Sequence, residues 1–206
     1  MHLIGINGFK TSGKDTTYQI VRDLQSEVNV GRAAFADKLK IMAAKALGFE
    51  RPDSDLIALM DQCKELWTIS VQDRPEGFTQ EFHYLTGREY LQYFGGKARE
   101  VFGDTFWIDQ VLPADDLMEI TKDRALEARY PGIDILCITD VRYPNEAERV
   151  RALGGVVWEV VRPGLESDGH GSEKPLPREL VNFVIRNDGD LTYLRSEVKR
   201  ALEFTL

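Results

Sequence analysis

Gly5-Ile6-Asn7-Gly8-Phe9-Lys10-Thr11-Ser12-Gly13-Lys14-Asp15-Thr16-Thr17 decides the fold. Residues 8–14 have the spacing G-x-x-x-x-G-K. Glycines at those two places let backbone N–H groups wrap closely around a phosphate, and the lysine after the second one reaches the distal phosphates. The flanks fit. Leu3–Asn7 is a short apolar run that reads as a strand, and Asp15–Gln25 carries Ile20, Val21 and Leu24 at helical spacing. Such a helix aims its N-terminus at the same anion. Gly8, Lys10, Ser12, Gly13, Lys14, Asp15, Thr16 and Thr17 are therefore the candidate cradle. Asp15 stands where Ser or Thr usually meets Mg²⁺; a carboxylate can hold that ion directly or through water, which makes Asp15 a candidate metal ligand. The plainer alternative is a glycine-containing turn with Asp15 as a helix cap.

Outward from the cradle, strands and helices alternate. Strands are expected at 32–36, 133–139, 156–161 and 183–185, and helices from Asp37 to Gly48, at 145–153 and at 191–204. Residues 54–130 show no good central strand. They read as a helical excursion, with helices at 88–94 and 105–112 around a Gly95-Gly96 loop and another over 117–130. Residues 163–177 are rich in Gly, Pro, Ser and charge and read as a loop or lid. The pattern predicts a single three-layer α/β domain with about five parallel strands, a helical region at about 37–130 and a lid at about 162–178.

The chain has 206 residues, enough to bury a core without staples. Its formal net charge of −8 argues against nucleic acid or an anionic membrane as partner, since both need a basic footprint. Cys63 and Cys137 fall in no metal or redox spacing and read as reduced, buried thiols. Met1-His2-Leu3-Ile4-Gly5 enters a strand directly, so no signal peptide is expected, and no apolar run is long enough to span a bilayer. A cytoplasmic protein is expected.

Ligands of open parallel sheets bind beyond the carboxyl ends of the strands, so polar residues just past strands matter most. Asp140 and Arg142 follow the central run. Asp140 can orient water on Mg²⁺ and Arg142 can clamp a phosphate; the alternative is a strand-end salt bridge and a turn set by Pro144. Asp37 can position an attacking oxygen or merely cap its helix. Arg88 and Gln92 share a helix face at i, i+4, and Arg99 follows Gly95-Gly96. Together they can read a phosphate and a base, or simply form a solvated face. Arg162 opens the lid, which also contains His170, Ser172 and Glu173. Asn187-Asp188-Gly189 either shapes a loop over a purine ring or is a plain turn. Trp67, Trp107 and Trp158 are candidates for core or substrate-wall packing.

Taken in order, these pieces resemble the bacteriophage deoxynucleoside monophosphate kinases, relatives in fold of dephospho-CoA kinase and the nucleoside monophosphate kinases. The matching segments are 8–17, Phe35-Ala-Asp-Lys-Leu-Lys40, Arg88-Glu-Tyr-Leu-Gln-Tyr-Phe-Gly95, Arg99 with 102–107, Thr139-Asp-Val-Arg-Tyr-Pro-Asn-Glu146, 161–164, 170–173 and 187–189. Gly-Lys-Asp-Thr is similar to the family's own phosphate loop, whereas Gly95-Gly96-Lys97 departs from its Gly-Thr-acid pattern. The resemblance implies a P-loop kinase fold and transfer of the γ-phosphoryl group of ATP, with Mg²⁺, to a deoxynucleoside 5′-monophosphate (dNMP). It implies Lys14, Asp37, Arg142 and Arg162 as catalytic residues. The acceptor side would be Asp37, Lys40, Arg88, Gln92, Arg99, Trp107, Asp140 and Arg142. Asn187 and Asp188 would lie on the donor base, and Asp15 and Asp140 at the metal. A homodimer is open. Rival readings are another small-molecule P-loop kinase such as dephospho-CoA kinase, a nucleotide-driven switch or assembly ATPase, and a non-catalytic nucleotide-binding module.

Overall fold

Alternation along the strands builds the layers. Leu3, Leu136, Ile138 and Val157 point into one apolar layer, while Ile4, Ile6, Ile135, Cys137, Trp158 and Val160 point into the other. A strand buried on both faces has to be apolar at successive positions, which is why these segments read as unbroken hydrophobic runs. The computed structural model describes residues 1–66, 68–73, 81–114, 118–165 and 175–206.

The chain divides into two compact units, residues 1–35 with 108–206, and residues 36–107. The first unit holds β1 (His2–Asn7), α1 (Lys14–Leu24), β2 (Val30–Ala33), β5 (Ile135–Ile138), α7 (Pro144–Ala152), β6 (Val156–Val161), β7 (Phe183–Arg186) and α8 (Leu191–Thr205). α6 (Met118–Arg129) also belongs to it, as do Ile108–Val111 of α5 (Phe106–Val111). Its five strands are all parallel, in the order β2-β5-β1-β6-β7. Side chains of α1 and α8 (Ile20, Val21, Val198, Leu202) cover one face. Ile108, Val111, Leu126, Ala147 and Val150 cover the other. The three-layer α/β sandwich with five parallel strands is therefore what forms, and β1 is central in it. The buried Arg149, 5% exposed at its side chain, is held 2.8 Å from Asp109 Oδ1 and donates to Pro113 O at 2.7 Å. Such pairing is what a buried guanidinium requires.

The second unit contains α2 (Phe35–Ala46, from Ala36 onward), α3 (Asp53–Cys63), β3 (Thr68–Asp73), β4 (Glu81–Thr86) and α4 (Gly87–Phe102). Ile41, Ala44, Leu56, Met60, Tyr90 and Leu91 form its core. Two features depart from the sequence reading. β3 and β4 make an antiparallel ribbon, Thr68 opposite Thr86 and Asp73 opposite Glu81, inside a stretch read as wholly helical. Thr68, Ile69, Val71, Phe82, Tyr84 and Thr86 supply the strand propensity. No strand of this ribbon belongs to the main sheet.

The second departure is α4, one helix running straight through Gly95-Gly96 where a loop was expected. A capping box starts it: Glu89 N–H donates to Thr86 Oγ1, and Thr86 N–H donates to the Glu89 carboxylate. Gly95 is buried, and a Cβ there would lie 3.3 Å from Leu39. Its carbonyl accepts the Trp107 indole N–H at 3.0 Å. Close packing, not a turn, explains that glycine.

α2 begins at Phe35, so Asp37 lies in its first turn and is not its N-cap. Trp67, His170, Ser172, Glu173 and most of the expected lid at 162–178 lie outside the described residues. Among the described residues, no helix is long and apolar enough to cross a membrane.

Candidate active site

In the first unit β1 ends at Asn7, whose buried side-chain amide donates to Val141 O at 2.8 Å. Val141 N–H in turn donates to Ile6 O. These bonds join the start of the loop after β1 to the segment after β5. The loop then turns through Gly8 at φ 148°, Thr11 at φ 62° and Gly13 at φ 107°. A Cβ on Gly8 would approach Ser12 Oγ to 2.5 Å and Val160 O to 2.6 Å, so only glycine fits. Gly13 is the N-cap of α1, and Thr17 N–H donates back to Gly13 O. The first N–H groups of α1 are thus aimed at whatever anion sits on the loop. Lys14 folds over the same loop, its Nζ donating to Gly8 O and Phe9 O at 2.7 Å each.

A cavity of about 370 Å³ opens here, lined by Thr11, Gly13, Lys14, Asp15, Thr16, Arg162, Asn187, Gly189, Asp190, Leu191 and Leu194. Part of its wall is polar, formed by Thr11, Lys14, Asp15, Thr16 and Arg162. Another part carries Leu191, 64% exposed at the first residue of α8, an apolar surface of the kind a base stacks on. Asp190 caps α8 by accepting Tyr193 N–H at 2.8 Å. Of the residues expected at the donor, Gly13, Lys14, Asp15, Thr16 and Asn187 line this cavity, and Arg162, expected as a catalytic residue, lines it as well. Gly8 and Ser12 shape the loop behind it. Lys10 and Asp188 are exposed and off its wall, and Thr17 is fully buried in α1.

The Asp15 carboxylate and Thr16 hydroxyl, both exposed beside Lys14, are hard oxygen donors. They fit Mg²⁺, which takes one or two carboxylates and completes its shell with water and substrate phosphate. Among the described residues no cluster of three or more metal-ligating side chains forms an all-protein cage.

Asp140 follows β5, and its Oδ1 accepts the backbone N–H of Phe35 at 2.8 Å. The carboxylate is half-buried. Arg142 is exposed, and its backbone is fixed by Glu146: the Glu146 carboxylate accepts the N–H groups of Arg142 at 2.6 Å and Tyr143 at 3.0 Å. Glu146 is buried and was not singled out from the sequence. Its signal is a glutamate at the third helical position reaching back to the N-cap Tyr143 N–H, with Pro144 at the first helical position. Arg162, exposed beyond β6, lies with Nη1 3.5 Å from Thr11 O.

In the second unit Lys40 is the centre of a charge cluster. Its side chain is 11% exposed, with Nζ 2.9 Å from Asp61 Oδ2 and 3.4 Å from Asp37 Oδ1. Lys64 pairs with the same Asp61. Burial pushes the Asp61 carboxyl up, but hydrogen bonds from Lys64 and Lys40 outweigh it and hold the group below its ordinary range. Asp61 escaped the sequence reading because only the fold brings α3 to Lys40. On α4, Arg88 pairs with Glu65 and Gln92 is exposed. Since α4 is continuous, Arg88, Gln92 and Arg99 fall on one stripe, zero, four and eleven residues along, at about 100° per residue. Trp107 is 2% exposed, with its ring against Phe94 and Phe106, so it packs the core and offers no face to a substrate.

The family model described as deoxynucleotide monophosphate kinase matches residues 97–198. The deoxynucleotide monophosphate kinase of Enterobacteria phage T4 is 27% identical, over 98% of this chain and 99% of that protein. The one from Escherichia phage RB69 is 28% identical, over 98% and 100%. A protein of Acanthamoeba polyphaga mimivirus that carries the same name provisionally is 30% identical, over 90% of this chain and 86% of its own length. With a phosphate loop after the central strand and relatives that span both chains, this chain belongs to the deoxynucleotide monophosphate kinase family.

Proposed function

We propose that the protein transfers the γ-phosphoryl group of ATP to deoxynucleoside 5′-monophosphates, giving ADP and a dNDP. The observation that carries this is the cavity beyond β1, where the loop N–H groups, the N-terminus of α1 and Lys14 meet an apolar shelf at Leu191. That is the pairing a nucleoside triphosphate needs, and family membership supplies the acceptor class.

The loop and Lys14 hold the donor phosphates. Lys14 leaves the carbonyls of Gly8 and Phe9 for the β- and γ-phosphates, exchanging neutral acceptors for charged ones. Asp15 and Asp140 would hold Mg²⁺, directly or through water, and the ion would supply neutralisation of charge on the phosphate oxygens. Arg142 and Arg162 steady the transferring group. Asp37, Lys40, Arg88, Gln92 and Arg99 hold the acceptor nucleotide. An anionic oxygen of the acceptor monophosphate attacks the γ-phosphorus in line, and the bond to the β–γ bridging oxygen breaks. ADP departs with that electron pair. No proton transfer and no covalent enzyme intermediate are required.

The test is ADP formation from ATP and Mg²⁺ against a panel of dNMPs, NMPs and dephospho-CoA, with a no-acceptor control. ADP formed with one or more dNMPs is expected, and Lys14→Ala removes most of it. ADP formed equally without any acceptor would replace this reading with a nucleotide-driven switch. Activity on dephospho-CoA alone would replace it with that kinase.

A further inference from the structure

The loop that holds phosphate is strained at one residue and tied at the next. Among the described residues, Thr11 is the sole non-glycine residue at positive φ, 62°. A β-branched side chain is poorly suited to that conformation, which costs about 1–2 kcal/mol and persists only where the surroundings hold it. The hold is visible. Asn187 Nδ2 donates to Ser12 O at 2.7 Å, across 175 residues of sequence. Asn187 is itself fixed, its N–H donating to Val161 O at 2.8 Å as an extension of the β6–β7 pairing. Its amide also sits where a Cβ on Gly13 would approach Nδ2 to 2.6 Å, so the two are close-packed.

Building on the donor reading above, we infer that Asn187 is a positioning residue for the phosphate loop. It acts through the Ser12 carbonyl, not by touching the base or ribose. With its amide donor committed to Ser12 O, it holds Thr11-Ser12-Gly13 in the conformation that turns N–H groups toward the anion. Loss of the tie lets the strained turn relax, and the cradle must then be reorganised each time a triphosphate binds.

The discriminating probe is inorganic tripolyphosphate, which has the phosphate chain of ATP without base or sugar. Calorimetric Kd values for Mg-ATP and Mg-tripolyphosphate are compared in wild type, Asn187→Ala and Asn187→Ser. The serine hydroxyl is too short to reach Ser12 O, and this second variant serves if the alanine variant fails to fold. The inference expects both probes to weaken by the same factor, about fivefold to tenfold, as one net hydrogen bond would give. In turnover KM for ATP rises while KM for the dNMP holds. ATP weakened with tripolyphosphate unchanged would mean that Asn187 contacts the nucleoside, and would overturn the inference; so would no change in either. Wild-type protein that binds neither probe would overturn the donor reading itself.

Discussion

Asp140 and Phe35 are 105 residues apart, yet the Asp140 carboxylate accepts the Phe35 backbone N–H at 2.8 Å. The first N–H groups of a helix have no partner within it, and Phe35 opens α2. One carboxylate therefore caps a helix from a distance while standing at the carboxyl end of a central strand. The two duties separate by substitution. Asp140→Ala loses the acceptor and is expected to cost about 1–2 kcal/mol in urea unfolding. Asp140→Asn keeps an oxygen toward Phe35 and most of the stability, yet loses roughly a hundredfold in kcat through loss of charge at the metal. Full activity in the asparagine variant would remove Asp140 from the metal assignment.

Gly13→Ala forces a Cβ to within 2.6 Å of Asn187 Nδ2 at a φ of 107°. The expected variant folds, since the sheet and its two apolar layers are untouched, and loses ATP binding by at least about tenfold. Calorimetry with Mg-ATP reads this directly. Unchanged affinity would show that the turn adapts.

Asp61→Asn leaves the buried Lys40 with Asp37, 3.4 Å away, as the carboxylate it still meets. The cost is about 1 kcal/mol at neutral pH, because Asp61 is 43% exposed and water screens the pair. The sign with pH follows from the depressed carboxyl. Asp61 contributes its full stability above its ordinary value, 3.8, and loses it as pH falls through the lower folded value. Unfolding curves of wild type and variant should therefore differ at neutral pH and draw together as pH falls below the depressed folded value. A gap that widens in acid would contradict the charge cluster.

Cys137 lies on β5, an interior strand of the sheet, where burial pushes its thiol up to about 12, and burial raises Cys63 as well. A thiol so held is neither exposed nor ionised near neutral pH. Native protein should leave both cysteines unmodified by iodoacetamide, and denatured protein should lose both. Labelling of the native fold would reveal local opening of the sheet or of α3.

The cradle was legible because its chemistry is local. Gly8, Gly13 and Lys14 are close neighbours in the chain, and the strand before them and helix after them follow from periods of about 2 and 3.6. β1, β5 and β6 were legible for the same reason, each being a largely apolar run, whereas β2 (Val30–Ala33) carries Gly31 and Arg32, is not buried, and begins two residues before the strand expected at 32–36, whose last residues open α2 instead. The helix through Gly95-Gly96 was not. Two adjacent glycines favour a break on propensity alone, and the packing of Gly95 on Leu39 with the Trp107 indole on its carbonyl overrides that preference. The β3–β4 ribbon was hidden likewise, since its short runs fit a helix or a strand until pairing decides.

Sequence by itself determined the phosphate loop, the parallel sheet and the family. Tertiary structure alone decided that Asp140 caps Phe35, that Asp61 holds Lys40, that Trp107 packs the core and that Asn187 ties down Ser12. The physical reason is range. Backbone conformation and hydrophobic period are set by near neighbours and can be read along the chain. A hydrogen bond between distant residues forms only after the sheet has ordered, when burial makes an unpaired polar group costly and selects which partners meet.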